Sequence, residues 1–144
     1  FNLPIAASTD YYLYNHETGA DDGSTSPAQA ITAFIESSQF DIGEGEQFSF
    51  VRRVIPDLTF RNSTAAAPVV NLTLQSRNYP GGAYTNADAS AITRSAVVPV
   101  EQFTQDANIR LRGRSMSLKL DSSATGVAWR LGAPRIEIRT DGRR

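Results

Sequence analysis

The sequence predicts an all-β protein, an antiparallel β-sandwich of about seven or eight strands. Three observations predict it. Apolar residues recur with period two along most of the chain, polar turn segments separate the alternating runs, and the one stretch with a rival helical reading is interrupted by Pro99. With 144 residues, a chain of this size buries roughly two thirds of its unfolded surface, so one hydrophobic core is expected.

Residues 1–29 stand apart from residues 30–144. An apolar and aromatic opening, ending in Tyr11, Tyr12, Leu13 and Tyr14, predicts one strand with the flanking Tyr12 and Tyr14 on one face and Leu13 on the other. Residues 15–28 are rich in Gly, Asp, Ser and Thr and predict a long loop, with turn chemistry at Asp21, Asp22, Gly23 and Ser24. The chain opens on Phe1 rather than Met, which predicts processing or a longer parent protein.

The sandwich is assigned to residues 30–144. Ile31, Ala33 and Ile35 alternate with Thr32, Phe34 and Glu36; Phe48 and Phe50 open a second alternating run; Val70, Leu72 and Leu74 form a third. Residues 41–45, 56–57, 61–64 and 80–82 read as turns between them. Residues 88–104 have no clear order and predict a short helical turn or an irregular strand. In residues 109–120 the apolar positions change phase, from Ile109 and Leu111 to Met116, Leu118 and Leu120, and a bulge at Gly113 within one strand is the expected cause. That bulge places Arg110 and Arg112 on an exposed face and Arg114 at the break. Residues 127–131 and 135–139 predict the last two strands, with Trp129 sharing a core face with Val127 and Leu131.

The chain has a net charge of −1, yet the charge is unevenly distributed. Residues 1–93 hold four Arg against ten carboxylates, a net of −6, and residues 94–144 hold nine Arg and Lys119 against five carboxylates, a net of +5. A uniformly basic domain is the usual footprint of nucleic-acid coating; a dipolar one suits docking, including to another copy of itself. Arg provides the planar fork that pairs at interfaces. Arg110, Arg112, Arg114 and Arg130 are therefore the candidate subunit-interface residues, against the plainer reading of a solvated strand face.

Composition excludes much chemistry. With no Cys and one His, the chain has no thiolate nucleophile, no disulfide and no cysteine-ligated metal. No nucleophile elbow, phosphate-binding loop, paired-histidine zinc motif or calcium loop occurs. His16 sits in a polar segment and reads as an exposed structural residue. Asp41, Glu44, Glu46, Asp21 and Asp22 would be the carboxylates of a small glycosidase or of a Ca²⁺ site, but their Gly-containing segments read as solvated loops. No catalytic, metal or cofactor site is expected, and no apolar run approaches the roughly 20 residues of a membrane span. Asn62 and Asn71 begin glycosylation sequons of a length common by chance. Tyr79 and Tyr84 are the candidate stacking residues of an alternative, a carbohydrate- or receptor-binding β-sandwich module of a fibre or extracellular protein.

The runs ITAFIE at 31–36, GEQFSFVRRVIPDLTF at 45–60, RNYPG at 77–81, VEQF at 100–103, RGR at 112–114 and GAPRIEIRTDGRR at 132–144 resemble the C-terminal region of virion structural proteins of short-tailed bacteriophages, in particular the tail nozzle or hub class. The resemblance implies a β-sandwich region adjoining a β-propeller-like body, with residues 1–14 as that body's last strand. It further implies a homo-oligomeric ring around the DNA-exit channel, contacts with other tail proteins, passive contact with exiting DNA, a place in the virion tail, and no catalytic residues.

Overall fold

The computed structural model describes residues 3–79 and 94–142. All regular structure among them is β. Four short strands come first: β1 (Ile5–Ala7), β2 (Leu13–Asn15), β3 (Asp21–Asp22) and β4 (Gln29–Ala30). Ten follow: β5 (Ala33–Glu36), β6 (Phe40–Asp41), β7 (Ser49–Ile55), β8 (Leu58–Thr59), β9 (Val69–Arg77), β10 (Ser95–Glu101), β11 (Ala107–Gly113), β12 (Ser115–Ser122), β13 (Arg130–Leu131) and β14 (Arg135–Thr140).

Two antiparallel sheets form the sandwich. One runs β10-β9-β12-β5, with β6 also on β12, and the other runs β11-β7-β14. The alternation in β9 is the reason for its central place: Val70, Leu72 and Leu74 are buried, whereas Asn71 is exposed and Thr73 and Gln75 are half-buried. Their partners Val100, Leu118 and Leu120 are buried too, and from the facing sheet Val51, Val54, Ala107, Ile109 and Leu111 complete the core. Burying a Leu or Val side chain contributes about 1.5–3 kcal/mol, so this interdigitated layer is the main source of stability. Trp129 packs against it half-buried, with its indole Nε1 donating to Ser122 Oγ at 2.9 Å.

Several expectations need correction. Residues 109–120 are two strands, not one bulged strand. β11 pairs with β7 and β12 with β9 and β5, so the chain passes from one sheet to the other at Arg114, and the apolar phase changes because the interior lies on the other side of the second strand. The register irregularity in β11 lies between Asn108 and Leu111 instead. Gly113 is required by close approach: a Cβ there would lie 2.5 Å from Ser76 Cβ and 3.0 Å from the Arg77 carbonyl oxygen. In residues 127–131 only Arg130 and Leu131 are strand. The described part of residues 88–104 contains β10, a regular edge strand that accommodates Pro99 opposite Asn71 because an edge strand can dispense with one donor. Residues 80–93, which include the expected turn at 80–82, lie outside the described residues.

The N-terminal part departs further. Residues 5–15 form a hairpin rather than one strand, in which Tyr14 is half-buried and Leu13 points outward. Asp21 and Asp22 form β3, paired with β4, rather than a turn. The alternation at 31–36 does not mark a half-buried strand, since all four residues of β5 are exposed.

Candidate functional site

The crossing between the sheets gathers the arginines. Arg112 and Arg114 flank Gly113, and their guanidinium carbons stand over the Phe48 ring at 4.0 and 4.7 Å from its centroid. Such stacking is worth about 0.5–2 kcal/mol each. Arg112 also forms an ion pair with Asp141 through Nε, and its Nη2 donates to the Asp141 carbonyl at 3.3 Å. Backbone bonds lock the corner: Arg114 N donates to the Arg77 carbonyl at 2.8 Å, and Ser76 Oγ donates to the Arg112 carbonyl at 3.0 Å. Arg94 donates to Asn78 Oδ1 beside it. The expectation that Arg112 lies on a free exposed face is thus corrected; it is half-buried and engaged within its own chain.

The four arginines read from the sequence do not form one cluster. Arg112 and Arg114 belong to the corner, Arg110 is exposed on β11, and Arg130 is exposed on β13. Arg130 instead joins Arg61, Phe60, Leu58, Thr59 and Gln102 around an open cleft of about 500 Å³. Phe48, Asp141 and Arg77 were missed as partners of the corner, because their sequence neighbourhood carries no sign of a contact so distant along the chain.

The carboxylates are dispersed. Asp21 Oδ1 accepts from Gly126 N at 2.6 Å and ties the N-terminal segment to the loop after β12. Asp22 accepts from Ser24 N at 2.9 Å, and the bonds from Ser24 hold its carboxyl below the usual range. Asp41 belongs to β6, and Glu44 and Glu46 follow in an exposed loop turned by Gly43 and Gly45 at φ of 71° and 74°. Among the described residues no group of three or more His, Cys, Asp or Glu side chains is placed to hold a metal ion, and no helix is long and apolar enough to cross a membrane. His16 is exposed, beside the hairpin, with its backbone N–H donating to the Pro4 carbonyl at 2.8 Å. Tyr79 is exposed (51%), while Tyr84 lies outside the described residues.

What the sequence reading passed over is an apolar surface. In and just before the N-terminal hairpin Leu3, Ile5, Tyr11, Tyr12 and Leu13 are exposed, and in and before β5 so are Ile31, Phe34 and Ile35. Scattered exposed apolar residues are ordinary, but a contiguous set on a hairpin or an edge strand is the mark of an interaction surface. Compared with known proteins, the chain matches no family model and no curated sequence.

Proposed function

We propose that the chain is a non-enzymatic structural component of a bacteriophage virion, a tail nozzle or hub subunit whose copies form a ring around the DNA-exit channel. The observation that carries this reading is the asymmetry of its surface. An N-terminal hairpin with uncovered apolar side chains, within a segment of 29 residues that has four carboxylates and no Lys or Arg, adjoins a sandwich whose last 51 residues have a net charge of +5. Unlike patches on one chain favour head-to-tail contacts, which close into rings when the rotation permits. Arg110 and Arg130, exposed on separate strands, are available to such contacts; Arg112 and Arg114 support them by fixing the corner. Other tail proteins are the remaining partners, and DNA passes the ring without being read.

Native mass spectrometry over a range of concentrations tests the reading, together with labelled antibody on purified virions. Ring-sized species and label at the tail are expected. A strict monomer at all concentrations, or virions without label, would overturn it. The alternative, a glycan-binding module, draws on the exposure of Tyr79; glycan-array binding abolished by Tyr79→Ala would favour it instead.

A further inference from the structure

The two sheets are unequal in width. Ile35 is the register partner of Leu120, and Ala33 of Ser122, so in a pleated sheet Ile35 and Ala33 point toward the interior with their partners. Leu120 and Ser122 are buried, yet Ile35 is 47% exposed and Ala33 is exposed as well. The facing sheet does not reach them. β11 lies against β9 and β10, so β14, at the opposite end of its sheet, falls on the β12 and β5 side. There β14 ends the sheet with an edge that pairs with no other strand among the described residues, and its inward residues Ile136 and Ile138 are only half-buried. Among the described residues the smaller sheet has no strand facing β5 at this flank.

We propose that the flank formed by β5 and β14 receives the N-terminal hairpin of a second copy of the chain, laid as an added strand along β14 with its apolar face over Ile35. This names the contact within the self-assembly reading above and rests on it. The hairpin suits the place in two ways. In its register Ala7 faces Leu13 and Ile5 faces Asn15, so Ile5, Ala7 and Leu13 share one face, which is exposed, while Ala6 and Tyr14 occupy the other. Its charge is also complementary: the 29-residue segment bears only carboxylates, whereas β14 presents Arg135 and Arg139 and residues 135–144 hold four Arg against two carboxylates. Backbone pairing along an open edge supplies affinity, and alternate side chains supply specificity.

The absence of Cys makes the contact testable by thiols introduced one at a time. Leu13→Cys and Ile35→Cys, both at exposed positions, are prepared separately, mixed and mildly oxidised. A mixed disulfide dimer in at least roughly tenfold excess over either homodimer is expected, since only Cα atoms within about 7 Å can be bridged. Raising the salt from about 0.05 to 0.5 M lowers its yield, through screening of the charges. Assembled species without the mixed disulfide would overturn this contact and leave the assembly reading standing; a strict monomer would overturn both. In the double variant, a disulfide formed within one chain at high dilution would show that the hairpin covers its own flank, and would overturn the second copy as occupant.

Discussion

The guanidinium of Arg112 lies 4.0 Å from the centroid of the Phe48 ring, so the strand that leaves one sheet is clamped to the residue that precedes β7. The same guanidinium holds Asp141, just beyond β14. All three strands of the second sheet therefore meet at one side chain.

Replacing Arg112 with Ala removes both contacts and is expected to destabilise the protein by about 1–2 kcal/mol, because the pair is partly solvated. Arg112→Lys restores only part of this, since an ammonium lacks the planar fork that stacks and pairs together. Urea denaturation of the three proteins measures both steps. Equal stability of all three would show that the clamp contributes nothing.

Gly113→Ala places a methyl group 2.5 Å from Ser76 Cβ. Ser76 is fully buried on the central strand β9, so relief requires the two sheets to separate at the corner, at a cost of about 1–3 kcal/mol. Gly19→Ala, with nothing within 4 Å of the new atom, is expected to be neutral by comparison. Thermal unfolding followed by near-UV circular dichroism distinguishes them.

Leu72→Ala opens a cavity at the centre of the core, where Leu72 is fully buried, and is expected to destabilise by about 2–5 kcal/mol. Phe103, exposed in the loop after β10, can be replaced by Ala within about 0.5 kcal/mol. A denaturant midpoint that moved for Phe103→Ala and not for Leu72→Ala would contradict the assignment of the core.

In the hairpin, the Tyr14 hydroxyl donates to Asp10 Oδ2 at 2.6 Å and holds the Asp10 carboxyl below its ordinary value of 3.8, while Asp10 raises the Tyr14 phenol. A carboxyl depressed in the folded state stabilises it fully above the unfolded value, and that contribution is lost as the pH falls through the folded value. The hairpin is accordingly expected to keep this contribution above pH 3.8 and to loosen only as the pH falls below it. Titration of the Asp10 carboxyl by NMR in Tyr14→Phe is expected to show a return toward 3.8, and an unchanged midpoint would refute the coupling.

The sandwich itself was legible wherever one layer of side chains meets another. Val70, Leu72 and Leu74 alternate because β9 has the core on one side only. The same alternation misled at Ile35, since period two reports a pleated strand and says nothing about whether a second layer covers it. A change of sheet at Arg114 and a bulge at Gly113 leave the same mark in a sequence, a shifted phase, and only the pairing of β11 with β7 separates them. Arg110, Arg112 and Arg130 were legible as strand residues but not in their separate surroundings. Arg112 is defined by Phe48 and Asp141, which local patterns do not bring together.

Pro99 distinguishes one edge of the larger sheet. It sits in β10, the strand that ends the larger sheet on the side away from β5, and it has no N–H to offer a neighbour. The β10 edge thereby has one backbone donor fewer to offer than a strand without proline. A strand edge interrupted in this way is a poor template for ribbons that lengthen edge to edge through β10.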